Sequence, residues 1–226
     1  MLHKPGLASV LFDWDGTLLN SYRADSQAYL AMFRELGCPW GLEELATHYS
    51  PDWYVVYRAA GIPKDRWEDA DRLWRSHYAQ HPSQLMSGAR QVLRQLARRH
   101  SLGLVTSGDR QRVSRQLRAF ALTRLFRARV CGGDTPEKKP HPAPLLLALK
   151  KMKLQPADCV YVGDTPEDLA MAKAAGMRAI AVLGPFPTEK TLRAANPEFL
   201  LPSLRHLPAL IERLYPNSHP NLTKRL

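Results

Sequence analysis

Apolar positions along the chain fall into two patterns, short continuous runs and stripes at helical spacing, and their order predicts the architecture. Residues 7–12, Leu-Ala-Ser-Val-Leu-Phe, form an apolar run bounded by a turn and predict a buried strand. Residues 23–36 carry Tyr29, Leu30 and Phe33 at helical spacing, with Gly37 as the stop. Three further helical patterns cover 42–47, 52–60 and 64–78, separated by turn signals at Ser50-Pro51, Gly61-Ile62-Pro63 and His81-Pro82. No stretch from residue 21 to residue 85 reads as a strong strand. The pattern then changes. Residues 90–99 predict a basic amphipathic helix with Val92, Leu93 and Leu96 inside, and 102–105 a short strand ending in Thr106-Ser107-Gly108. A helix around 113–120, a strand over 128–131 and a loop at Gly132-Gly133-Asp134 follow. Next come a helix over 143–153, a strand over 159–162, a helix over 169–175 and a strand over 179–182. Residues 199–201 read as a last strand and 204–214 as a closing helix. Strands alternating with helices of this length predict an α/β fold, a mostly parallel Rossmann-like sheet. The core is expected over 1–19 and 86–216, interrupted by a small all-helical cap domain over 20–85, with a polar, frayed tail over 217–226.

Length and composition narrow the class. The 226 residues suffice for one full core and a small insert. No run of about 18 apolar residues exists, and the first five residues carry no apolar signal core, so no membrane partner is expected. Cys38, Cys131 and Cys159 have no metal-like spacing; Cys131 and Cys159 sit in strand-like surroundings and read as buried free thiols. The expectation is a reducing cytoplasm. The net charge of +11 raises the question of nucleic acid. Its densest run, residues 110–118 (RQRVSRQLR), turns Val113 and Leu117 inward, lacks interleaved aromatics and accompanies no nucleic-acid motif. It reads as a solvated basic face, with no specific nucleic-acid partner, although a positive field gathers anionic substrates. A monomer or weak dimer is expected.

Candidate chemistry lies at strand ends, where open parallel sheets bind ligands. Asp13-Trp14-Asp15-Gly16-Thr17 follows the first strand. Side chains alternate along an extended chain, so Asp13 and Asp15 point one way and Trp14 the other. Two neighbouring carboxylates repel unless a cation or a shared proton lies between them, and Gly16 permits a sharp turn. Thr106-Ser107-Gly108 offers a hydroxyl and adjacent backbone N–H groups to a phosphate oxygen. Glu137-Lys138-Lys139-Pro140 offers a cation before a rigid proline. Asp164 and Asp168, in Gly163-Asp164-Thr165-Pro166-Glu167-Asp168, lie one helical turn apart; the same residues also suit a capped helix start. Together, several carboxylates, a hydroxyl and a lysine describe an oxygen-ligand Mg²⁺ site for a phosphate.

The Asp13-Trp14-Asp15-Gly16-Thr17 segment resembles the first motif of the haloacid dehalogenase (HAD) superfamily of phosphatases, and Thr106, Lys139, Asp164 and Asp168 resemble its later motifs in type and order. The resemblance implies a HAD-like core and catalysis by Asp13, Asp15, Thr106 and Lys139. Asp13 would be the nucleophile that forms an aspartyl-phosphate, and Asp15 the general acid and then base. Thr106, Ser107 and Lys139 would bind the phosphoryl group, with Lys138 as rival for the lysine role. Asp13, the carbonyl of Asp15 and Asp164 would bind Mg²⁺, with Asp168 beside them. Gly132-Gly133-Asp134 with Lys138-Lys139-Pro140-His141-Pro142 looks like phosphoglycolate phosphatase, so a small phosphorylated metabolite, phosphoglycolate first, is the implied substrate. Asn20 stands where that family usually has Asp, and residues 48–54 lack the glycine-rich substrate loop; Arg23, Tyr49, Trp53 and Arg58 are cap candidates for selecting the substrate. A phosphomutase, an inorganic pyrophosphatase and a non-catalytic basic binding protein are the alternatives. Mutase-like members carry a histidine where this chain has Asp25, which is expected to add negative charge there.

Overall fold

The computed structural model describes Leu7 and residues 9–216. The expected tail over 217–226 and Ala8 of the first run lie outside the described residues. In chain order the elements are β1 (Ser9–Phe12), β2 (Leu19–Asn20), α1 (Tyr22–Leu36), α2 (Leu42–Thr47), α3 (Trp53–Ala59), α4 (Trp67–Tyr78), β3 (Gln84–Leu85), α5 (Ala89–Leu96) and β4 (Ser101–Asp109). They continue with α6 (Arg110–Ala119), β5 (Phe126–Gly132), α7 (Ala143–Met152), β6 (Cys159–Gly163), α8 (Pro166–Ala174), β7 (Arg178–Val182), α9 (Glu189–Ala194), β8 (Leu200–Leu201) and α10 (Leu207–Leu214).

Six strands form one sheet in the order β5-β4-β1-β6-β7-β8, with every neighbouring pair parallel. Alternation along the strands builds a core on each face. Val10 and Phe12 of β1, with Val160 and Val162 of β6, pack under α5, α6 and α10. Leu11, Cys159 and Tyr161 point the other way, onto Leu145 and Leu149 of α7 and Met171 of α8. The chain fills the sheet outward from β1 through β4 to β5, then crosses back to β6 on the opposite side. This reversal leaves a crevice between the carboxyl ends of β1 and β6.

The insertion has a core of its own. Tyr29, Met32 and Phe33 of α1 pack with Leu45, Val56, Tyr57, Ile62 and Ala70. Gly37 ends α1 in the left-handed conformation, φ 74°, as its place at the end of the apolar stripe predicts. The two connections to the sheet are joined by an antiparallel ribbon, Leu19 opposite Leu85 and Asn20 opposite Gln84. The strand at Gln84–Leu85 falls where no strong strand was expected between residues 21 and 85: two residues of partnered backbone carry no periodicity to read. Helix α9 was also unexpected, and it buries only Leu192. Helix α8 begins three residues before the expected residue 169, because Thr165 and Asp168 cap each other and Pro166 occupies its first turn.

Candidate active site

Asp13 and Asp15 follow β1, Thr106 lies in β4, and Asp164 follows β6, so three adjacent strands deliver four of the predicted side chains to one crevice. Trp14 turns into the core, fully buried, and donates its indole N–H to Gln116 Oε1 at 2.9 Å. Gly16 then reverses the chain at φ +85°, and a Cβ there would come within 2.1 Å of Asp164 Oδ2. Only glycine lets Asp164 approach that closely.

Lys139 comes from the loop before α7. Its ammonium donates to Asp13 Oδ1 at 2.5 Å and lies 2.7 Å from Asp168 Oδ1; all three side chains are buried. Lys138, its neighbour, points elsewhere, to Asp52 at the start of α3 at 3.3 Å. Asp168 is held from all sides: Thr165 donates to Oδ2 through its backbone N–H at 3.2 Å and its hydroxyl at 2.9 Å, and the Tyr161 hydroxyl donates to Oδ1 at 3.1 Å. The capped helix start and the site residue are thus one structure. Asp164 accepts the Thr17 hydroxyl on Oδ1 at 2.7 Å, while its buried Oδ2 has no partner.

Asp13, Asp164 and Asp168 bring carboxylate oxygens within 4.8 Å of one another. One lysine cannot neutralise three buried carboxylates. Burial pushes Asp13 up to about 7 against the pull of Lys139, and burial with the Asp13 charge raises Asp164 well above the usual carboxylate range. Burial opposes the charge on Lys139, but Asp13 and Asp168 outweigh it and raise the lysine. An unpartnered buried oxygen among hard anionic donors fits a divalent cation such as Mg²⁺, which would take the place of the missing protons. Thr106 is buried beside this cluster, its Oγ1 accepting from the Gly108 N–H at 3.0 Å, and Ser107 lines the same cavity.

Asp15 does not join the three-carboxylate group by its side chain. Arg112, on α6, grips it through two hydrogen bonds of 2.9 and 2.6 Å. Burial would raise Asp15, but the Arg112 charge and hydrogen bonds outweigh it and hold the carboxyl below its usual range. Arg112 departs from the reading of residues 110–118 as a solvated face, which Arg110, Arg115 and Arg118 fit by their exposure. Arg110 is half exposed and pairs with Asp134, whereas the Arg112 side chain is 12% exposed. The run itself holds no aromatic residue, but in space Arg112 lies over the Tyr78 ring at 4.9 Å and the Trp74 ring at 5.9 Å, both from α4. Sequence adjacency could not reveal rings from another helix. The missed partners Thr17 and Tyr161 share one weak signal, a polar residue inside or beside an apolar stretch; Arg112 carries none.

The cavity over these groups holds about 860 Å³, counting the space open to solvent. Tyr49 and Trp53 of the cap candidates line it, while Arg23 and Arg58 are exposed and do not. Asp25 lines it too, and burial with the Asp15 charge pushes it up to about 8, so the expected negative charge is weakened near neutral pH.

The haloacid dehalogenase-like hydrolase family model matches residues 10–182. Phosphoglycolate phosphatase 1 of Pseudomonas aeruginosa is 31% identical over 211 residues, 88% of this chain and 77% of that protein. Pyrophosphatase PpaX of Bacillus pumilus is 27% identical over 219 residues, 93% of this chain and 99% of that protein. A haloacid dehalogenase-like family hydrolase from Streptococcus pneumoniae superimposes with a TM-score of 0.78 at 24% identity, over 90% of this chain and 98% of that one, which shows the shared fold.

Proposed function

The chain belongs to the haloacid dehalogenase-like hydrolases, and from that premise we propose that it is a Mg²⁺-dependent phosphatase that hydrolyses a small phosphomonoester through Asp13. The supporting observation is the buried oxygen cluster: Asp13, Asp164 and Asp168 around one lysine, with Asp164 Oδ2 unpartnered. Asp13 and Asp164, with the Asp15 carbonyl, would hold Mg²⁺, which when bound cancels negative charge and so admits a phosphate dianion beside an anionic nucleophile. Asp168 acts mainly through Lys139, fixing the ammonium against Asp13.

Asp13 attacks phosphorus while the leaving oxygen takes a proton, and water then cleaves the aspartyl-phosphate. Thr106 and Ser107 hold the phosphoryl oxygens, and Lys139 neutralises charge on them. Asp15 has both proton-transfer roles. Gripped by Arg112 it is a carboxylate, the form that takes a proton from water in the second step. To protonate the leaving oxygen in the first step it must first hold a proton, so Arg112 must slacken as substrate enters. Residues 20–85 act as a cap, with the β2–β3 ribbon at its root. Free water access makes hydrolysis, rather than transfer to a second hydroxyl, the outcome: the position of the mutase histidine holds Asp25.

The test is phosphate release from p-nitrophenyl phosphate by purified protein, before and after chelation. Turnover that disappears with EDTA and returns with Mg²⁺ is expected. A rate indifferent to chelation would reject the metal site, and no turnover under any condition would favour the non-catalytic alternative.

A further inference from the structure

The charges on the cavity wall are paired in a way that selects the leaving group. Three cations line it. Lys139 is held by Asp13 and Asp168, and Arg112 by Asp15. The third, Arg75, is 60% exposed and lies 3.8 Å from Asp71 Oδ2, while Asp71 Oδ1 accepts the Tyr57 hydroxyl at 2.9 Å. Beside the cavity, Lys138 is matched by Asp52. Among the described residues, then, no cation of the wall beyond the phosphate end lacks a carboxylate. Two carboxyl groups of the lining are left without a cation among the described residues: Asp109, which caps α6 by accepting the Gln111 and Arg112 backbone N–H groups, and Asp25. Asp25 forms no ion pair among the described residues, and with or without its proton it offers an anion no positive charge.

The rest of the wall is aromatic. Tyr29, Tyr49, Trp53, Trp74, Tyr78 and Phe186 line it, with Tyr49 stacked on Phe186 at 4.8 Å between centroids. Ring faces receive apolar or C–H-rich surfaces. The Trp53 indole N–H is buried with no hydrogen-bond partner, a donor that calls for an acceptor oxygen.

We propose that the leaving group is an uncharged, ring-bearing alcohol, so that the substrate is the phosphate ester of a neutral hydroxylated ring rather than of a small acid. This rests on the phosphatase reading above. A carboxylate carried into the cavity gives up its hydration, meets no unpaired cation and lies near Asp25. A neutral ring has no ionic hydration shell to give up and covers the aromatic wall. Phosphoglycolate and pyrophosphate each release an anion, and on this account both are poor substrates.

The experiment compares esters that differ only in charge, with the full-length protein and Mg²⁺. 2-Hydroxyethyl phosphate is set against phosphoglycolate, and glycerol 3-phosphate against 3-phosphoglycerate. Glucose 6-phosphate and phenyl phosphate represent a sugar and an aryl ring. In each matched pair kcat/KM should favour the neutral member by at least about tenfold, and a ring ester should exceed both open-chain neutral esters. Asp71→Asn, which removes a carboxylate and leaves Arg75 without its partner, should narrow the preference. A preference for phosphoglycolate over 2-hydroxyethyl phosphate, especially one lost in Arg75→Ala, overturns the proposal while leaving the phosphatase reading intact. Absence of phosphate release from every ester, p-nitrophenyl phosphate included, overturns both.

Discussion

The floor and the roof of the cavity are built on different physics. The floor is made of charges at strand ends, buried, interlocked at distances of 2.5 to 2.7 Å and short of positive charge. The roof, from α1, α3 and α4, is made of rings, with carboxylates that are matched by arginine, held by hydroxyl donors or set alone. A buried charge network tolerates no loss of a member, because each remaining charge is stranded in a medium that cannot solvate it. An aromatic wall degrades gradually, by area. On the proposed function, the difference separates chemistry from selectivity: the floor would fit any phosphate, and the roof would distinguish what the phosphate is attached to.

Substitutions in the floor and the roof should therefore differ in kind. Asp13→Asn should lower kcat by at least about 10⁴-fold, since an amide neither attacks phosphorus nor balances a cation. Trp53→Ala in the roof should act mainly on KM, with kcat on p-nitrophenyl phosphate changed by less than about tenfold. Steady-state kinetics on both variants, with circular dichroism to check folding, decides this; a collapse of kcat in Trp53→Ala would erase the distinction. The two adjacent lysines sharpen it. Lys139→Met strands Asp13 and Asp168 and should cost about 3 kcal/mol or more in denaturant unfolding. Lys138→Met, from a pair whose side chains are 26% and 27% exposed, should cost less than about 1 kcal/mol.

Besides its effect on turnover, the metal should have a thermal one. Mg²⁺ should raise Tm of the wild type in a concentration-dependent way, by mass action on the folded state. In Asp164→Ala the shift should vanish; an undiminished shift would place the ion elsewhere. A separate, pH-dependent effect belongs to Asp25. Its folded pKa of about 8 lies above the ordinary value of 3.8, so the native state holds a proton that the unfolded chain has released. Stability from this group is full below about pH 4 and declines as pH rises toward 8. Asp25→Asn should flatten that part of the Tm-against-pH curve and raise Tm most at its alkaline end; a parallel curve would show that Asp25 does not carry the proton.

Much of the floor was legible because its signals are local. A run such as Val10-Leu11-Phe12 followed by two alternate aspartates states both the strand and its end, and the six-stranded parallel sheet and four-helix insertion follow from periodicity. Residues that act at a distance were not legible. Arg112 is separated from Asp15 by 97 positions, and its burial depends on Tyr78 and Trp74, so within RQRVSRQLR it looks like any other arginine. The ribbon at Leu19–Asn20 and Gln84–Leu85 exists through pairing alone. The roof was least legible of all: Tyr49 and Trp53 were named as candidates, but which charges would meet there depends on how four short helices pack.

The Lys138 ammonium lies 3.7 Å from the centre of the Trp53 ring, and this has an optical consequence. An indole emits at a wavelength that responds to the field of a nearby charge. Of the five tryptophans, Trp14 is locked in the core, while Trp40, Trp53, Trp67 and Trp74 all belong to the insertion. Intrinsic fluorescence is therefore nearly a signal from the roof alone, over a constant background from Trp14. If the roof lifts, Trp53 leaves the lysine and Trp74 leaves Arg112, so two emitters change colour together. Titration with orthovanadate in stopped flow should show that change without any label, and Lys138→Met should remove the Trp53 share of it.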